Sequence, residues 1–275
     1  MGDCKNDTLT INYTAYQAWL GNQALSTSTK TSYQRAVGMF LRYCRATQCD
    51  VPTAEAIMDY LKSLAENYSN NSQAAFLAAI RSYCQFLGMP LPSVPNVKRT
   101  EVRPRTLTDS EREQIMIALN ATSNSKVAAL VAVFMQCGLK IGEVVALNVD
   151  DVSLVELQVV ITVRRGEDIR RVAMNERGTQ FMLNWMSRRL LVRRDNGEQA
   201  LFLNNFGARI SPSGINALLD AFGREAKVSF NAQDLRNTCL KTFIIQTRDV
   251  KAVAQFAGYR STKSELRLSR ISHAI

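Results

Sequence analysis

Side chains that bind anions far outnumber those that move protons in this sequence. Lys and Arg total 34 against 24 Asp and Glu, a formal charge of +10 at pH 7. Neutralising phosphates releases counterions, so a surplus of that size points to a polyanionic partner, the plainer alternative being a basic surface kept for solubility. Residues 1–97 carry 7 basic and 6 acidic side chains, whereas residues 98–275 carry 27 and 18, so the excess lies in the later part of the chain. Several of these cations stand where folding does not need charge. Lys140 follows Gly138 just ahead of an apolar segment, and Arg164, Arg165, Arg170 and Arg171 flank the glycine-containing turn RRGEDI. Charge runs are usually solvated, but at a hairpin tip in a net-basic domain these arginines read as groove or backbone contacts.

Proton-transfer and metal chemistry find little support. The single histidine, His273, is third from the end, where a frayed terminus makes a poor acid or base. Six cysteines (Cys4, Cys44, Cys49, Cys84, Cys137, Cys239) contain no CxxC pair. With one histidine beside them they lack the spacing of a zinc site, and most fall in apolar stretches as reduced core residues. No metal or other cofactor is expected. No apolar stretch reaches the length needed to cross a bilayer. The opening MGDCKNDTLTINYT lacks the basic-then-apolar order of a secretory signal. A cytoplasmic protein is expected, nucleoid-associated in a bacterium.

The elements that must position these cations are mostly helices. Residues 9–89 read as four amphipathic segments forming a bundle. The first starts at TAYQAWLGNQAL, the second is capped by Ser28 and Thr29, the third opens at Pro52 and Thr53, and the fourth follows the break Ser69–Ser72 and ends at Gly88 and Pro90. Phe76, Ile80, Tyr83 and Leu87 form a stripe on the fourth that reads as bundle core. MPLPSVPNVKRTEVRPR holds four of the six prolines and four basic residues, and reads as an extended basic connector. Its Arg99, Arg103 and Arg105 could lie along a DNA backbone. The second domain opens at Thr108-Asp109-Ser110-Glu111, continues through the apolar helix VAALVAVFMQCGL, and places a β-hairpin (LQVVITV and RRVAMN) before further helices. The expected fold is therefore mainly α with a small sheet (α+β): a helical bundle over 1–95, a linker over 96–106 and a second domain over 107–275.

Four segments, in order, resemble the tyrosine recombinase or phage integrase family. CGLKIGEVVALNVDDV is similar to its GLRxxELxxLxxxDI box, and ITVRRGEDIRRVAMN to its lysine-bearing hairpin. FNAQDLRNTCLKTFI is similar to HxLRHTFAT, and QFAGYRSTKSELRLSRI to LGHxxxxTTxxYxH. With the N-terminal bundle resembling the family's core-binding domain, the likeness covers nearly the whole chain. It implies a C-shaped clamp around duplex DNA and a tyrosine hydroxyl that attacks a phosphate, with cationic and hydrogen-donating side chains stabilising the developing charge.

Carried over position by position, the resemblance implies a degenerate site. Lys140 stands for the first arginine, keeping charge without the bidentate fork. Arg165 stands for the hairpin lysine, and an arginine gives up a proton poorly. Gln233 replaces the histidine of HxxR, Arg236 keeps its arginine, and Tyr259 replaces the histidine of LGH. The nucleophile position is Leu268, and no tyrosine follows Tyr259. Strand cleavage by the family mechanism is expected to be absent. The implied DNA contacts are Lys140, Arg164, Arg165, Arg170 and Arg236 in the second domain, Lys30, Arg35, Arg42, Ser72, Gln73 and Arg81 in the first, and Arg99, Arg103 and Arg105 in the connector.

The expected function is sequence-selective binding of double-stranded DNA without covalent chemistry, as a transcriptional regulator or as an accessory factor of a mobile element or plasmid. A dimer or a partner recombinase fits that role. Two rivals stay open. In one, Tyr259 serves as a relocated nucleophile, or a partner supplies the tyrosine in trans. In the other, the fold has become a protein-interaction module.

Overall fold

Short polar residues in extended backbone start the first three capped helices, because their side-chain oxygens satisfy N–H groups that a helix leaves unpaired. The computed structural model describes residues 4–49, 52–90, 93–100, 103–192 and 197–259, with Leu268 and Ile271. Two compact units divide between Val102 and Arg103.

The first unit holds α1 (Cys4–Gly21), α2 (Thr27–Ala46), α3 (Ala54–Leu64) and α4 (Asn70–Phe86). Thr53 and Ser69 cap α3 and α4 through the N–H groups of Ala56 and Ser72. The cap of α2 is Ser26, which accepts from the Thr29 N–H at 3.1 Å, so Ser28 and Thr29 lie inside the first turn instead of capping it. Similarly, α4 begins at Asn70, two residues before Ser72. Ile80 and Tyr83 are buried as the stripe predicts, with Phe76 and Leu87 partly buried against the core. Phe40, Ile57, Leu61, Leu77 and Cys84 fill the space between α2, α3 and α4.

The proline-rich segment is not a free spacer. Val94 is buried in the first unit, and Arg81 donates to its carbonyl and to Asn96 Oδ1, each at 2.6 Å. Asn71 Nδ2 donates to the Thr100 carbonyl at 2.8 Å. Beyond Val102 the chain belongs to the second unit. There Arg105 pairs with Glu111 (2.7 Å) and Asp234 (3.2 Å), and the Leu107 N–H donates to Thr238 Oγ1 at 2.8 Å.

In the second unit, α5 (Asp109–Ala121) starts with a capping box between Thr108 and Glu111. The most apolar helix, α6 (Ser125–Cys137), is buried continuously from Val127 to Phe134 and forms the centre of the core. Short α7 (Ile141–Ala146) leads to an antiparallel sheet of β1 (Val152–Val155), β2 (Gln158–Arg165) and β3 (Asp168–Ala173), in that order. The sheet is one strand larger than the expected hairpin. Glu156 and Leu157 both take positive φ (48° and 65°) and turn β1 directly into β2. Along β2, Val159, Ile161 and Val163 point into the core at alternate positions, as the period of a strand requires. Among the described residues, α8 (Glu176–Val192), α9 (Pro212–Glu225), α10 (Ala232–Thr247) and α11 (Val250–Phe256) follow the sheet.

Candidate nucleic-acid interface

The end of α6 builds the first part of the site. Gly138 closes that helix at φ +55°, and a Cβ there would lie 3.1 Å from the Phe256 ring and 3.3 Å from Cys239 Sγ. Glycine is favoured on both counts, by backbone conformation and by space. The chain then enters α7 with Lys140 at its N-cap position, and the Lys140 N–H donates to Glu143 Oε2 at 2.8 Å.

Arg236, on α10, is only 1% exposed. Its guanidinium donates to the Gly138 carbonyl and, at 2.8 Å, to the Ala257 carbonyl, and it lies 3.8 Å from Glu143. It therefore ties three segments of the unit together, and only part of its five-donor fork remains for a ligand. That differs from the open DNA contact that the resemblance implies. Charge reversal at Arg236 would strand two carbonyls as well as change the field.

Arg170, on β3, turns inward. Both terminal nitrogens bond Glu143, at 2.8 and 3.1 Å, while Nε is buried without a partner. Gly258 makes room for it: at φ +64°, a Cβ on Gly258 would lie 2.7 Å from Arg170 Nη1. Arg165 and Arg171 are exposed on the hairpin, and Arg164, also exposed, pairs with the buried Asp151.

These charges act on one another. Burial lowers the Lys140 ammonium below the ordinary lysine value, Glu143 opposes that, and the guanidiniums of Arg236, Arg165 and Arg170 reinforce it. Burial pushes the Glu143 carboxyl upward, yet the hydrogen bonds from Arg170 and Lys140 and the charges of Arg170 and Arg236 outweigh it and hold it below its usual value. Cationic groups thus crowd beyond what Glu143 neutralises, an arrangement that favours an incoming anion. Tyr259 lies among them, with Lys140 Nζ 5.4 Å and the Arg236 guanidinium 5.3 Å from its ring centre, so its π-face stacks with cations. Leu268 is fully buried against Leu240, Ile244, Val253 and Ala257, and offers no polar atom.

The other expected contacts are dispersed. Gln233 is exposed and donates to Asn237 Oδ1 at 2.7 Å. In the first unit Arg35 and Arg42 are exposed on α2, Lys30 bonds the Gly21 carbonyl, and Arg81 holds Val94 and Asn96. Ser72 is half-buried and bonded to Ser69, and Gln73 is buried with its amide on the Tyr68 carbonyl. Arg99 and Arg103 are exposed. Glu143 and the inward turn of Arg170 escaped sequence reasoning. The first lies in GEVVAL of the first box, and the usable signal was an acid three residues after Lys140, the spacing of a capping box at a helix start.

Residues 105–266 match the phage integrase family, and residues 14–89 match the phage integrase N-terminal SAM-like domain. The chain belongs to the phage integrase family. The tyrosine recombinase XerD of Oceanobacillus iheyensis is 23% identical over 254 residues, spanning 86% of this chain and 85% of that protein. The tyrosine recombinase XerC of Alcanivorax borkumensis is 24% identical over 273 residues, spanning 94% and 87%. Among solved structures, this integrase-family fold is similar to the XerH site-specific recombinase bound to palindromic difH substrate, with a TM-score of 0.72 and 14% identity over 88% of this chain and 76% of that one. It is also similar to a lambda integrase dimer bound to a COC′ core site, with a TM-score of 0.68 and 13% identity over 96% of each chain. Among the described residues no helix is long and apolar enough to cross a membrane.

Proposed function

We propose that this chain binds duplex DNA as a component of a site-specific recombination system, and that the Leu268 position supplies no nucleophile. The observation that carries this reading is the pairing of a cation cluster around Lys140 with a fully buried leucine at the tyrosine position. Lys140 and the arginines around it can attract and orient a backbone phosphate, as solvated phosphates exchange their counterions for fixed cations. A leucine cannot attack one. The chain's own role is then non-covalent: it binds a selected sequence, and any strand exchange draws the tyrosine from a partner recombinase. The same binding without a partner would serve as transcriptional control. XerD and XerC, by their names, are tyrosine recombinases, which favours the recombination setting over a purely regulatory one.

A second reading has its own observation. The Tyr259 ring lies against both Lys140 and Arg236, so the only tyrosine of the last motif is already beside the cations that would hold a phosphate. In that reading Tyr259 is the nucleophile.

Selection of bound fragments from random and genomic duplexes, at near-physiological salt, tests DNA binding. A recovered motif whose binding is lost in Lys140→Glu supports the proposal, and salt-insensitive or absent binding overturns it in favour of a protein partner. A nicked duplex carrying the motif then separates the two chemistries. No covalent adduct from the chain alone is expected, and an adduct that disappears in Tyr259→Phe establishes the second reading.

A further inference from the structure

Glu143 poses a difficulty for a phosphate site, because an acid in the middle of the cluster cancels charge that the phosphate needs. Its carboxylate lies 3.8 Å from Arg236 and accepts the Lys140 backbone N–H. Without Arg170, the guanidinium left beside it is that of Arg236, whose charge it would cancel. Arg170 takes both carboxylate oxygens, Nη1 to Oε1 at 3.1 Å and Nη2 to Oε2 at 2.8 Å. A fork-to-fork pair of this kind is stronger and more directional than a single contact. The Arg170 side chain is 16% exposed, and Gly258 lets the backbone approach its guanidinium more closely than any other residue would allow.

We propose that Arg170 is a positioning residue, which sequesters Glu143 so that the positive charge of Lys140 and of the buried Arg236 is left uncancelled for a DNA phosphate. This rests on the DNA-binding reading above. Arg170 touches no phosphate itself: its terminal nitrogens are committed to Glu143 and its Nε is enclosed. Its effect on DNA is made through the charge it withholds. Removing Arg170 releases one negative charge into the site, and removing Glu143 as well takes that charge away again.

The test is a double-mutant cycle on the full chain, read as DNA affinity against salt with the selected duplex. Arg170→Gln should weaken binding by about fivefold near 0.15 M salt and reduce the slope of log K against log salt by about 0.9, the share of one phosphate. Arg170→Gln with Glu143→Gln should recover both affinity and slope. If Arg170→Gln keeps the wild-type slope, or if the double variant stays as weak as the single one, the proposal is overturned, because a direct contact would not be rescued by removing an acid and a merely structural role would lower affinity without changing the salt slope. Should Arg170→Gln fail to fold, as judged by its melting curve, Glu143→Gln decides alone. The proposal requires its slope to equal or exceed wild type, and a fall overturns it. Wild-type protein that shows no salt-dependent binding would instead sink the DNA-binding reading, and this proposal with it.

Discussion

If Leu268 holds the position of the attacking tyrosine, as the proposed function takes it to, Leu268→Tyr would return that side chain, and its surroundings make the change costly. Leu268 is fully buried against Leu240, Ile244, Val253, Ala254, Ala257 and Ile271, so a tyrosine in the same place must fit a larger ring into a filled space. Overpacking of a core costs about 1–3 kcal/mol. A buried hydroxyl without a partner adds about 1–3 kcal/mol. A total of roughly 4 kcal/mol, at about 2–4 °C per kcal/mol for domains of 150–250 residues, lowers Tm by about 8–16 °C. Leu268→Met conserves volume and should cost less than about 1.5 kcal/mol. The assay pairs thermal unfolding of both variants with a nicked duplex that traps a protein–DNA linkage. A Leu268→Tyr protein that melts with the wild type and forms an adduct resistant to denaturing electrophoresis would refute the reasoning. The ring would then have turned out of the core towards Lys140 and Arg236.

Other substitutions probe the supports of the site. Gly138→Ala forces a Cβ into left-handed backbone at about 1–2 kcal/mol, with Phe256 and Cys239 already close; a lower Tm and weaker DNA binding are expected together, and an unchanged melting curve would count against the packing described. Tyr259→Phe keeps the ring and should leave stability within about 0.5 kcal/mol, whereas Tyr259→Ala should lose about 0.5–2 kcal/mol of stacking with Lys140 and Arg236; equal melting of the two variants would dismiss the ring's role. Acid titration tests Glu143. Its carboxyl is held below the ordinary value in the folded protein, so its contribution is present above the unfolded pKa and is lost as pH falls through the lowered one. Denaturant unfolding followed down through the carboxylate range should therefore show a shallower acid limb in Glu143→Gln than in wild type, and superimposable limbs would remove the carboxylate from the account.

Helices were the most legible part of the chain, because their signals are local. The capping box of Thr108 and Glu111, the cap at Ser69 and the apolar run of α6 can each be recognised from a few neighbouring residues. Strand β1 was not legible, since Glu156-Leu157 is not a pair that favours positive φ and the turn is imposed by the sheet. The cap of α2 was misplaced by two residues because Ser26, Thr27, Ser28 and Thr29 all have the side chains a cap needs, and only the backbone distinguishes them. The connector looked free because its prolines exclude helix, but the contacts from Arg81, Asn71 and Asn237 that hold it come from distant parts of the sequence.

The amino-acid sequence by itself determined the kind of protein this is. The order of four motifs and the helical first part are properties of the chain as written, and they led to the family without coordinates. Tertiary structure decided which cations can reach a ligand. Arg165 and Arg170 stand five residues apart on one hairpin and read alike as charges, yet one is exposed and the other is turned inward onto Glu143. Charge is a property of the residue, whereas availability depends on the partner that folding brings within a few ångströms, here an acid 27 positions away in the sequence.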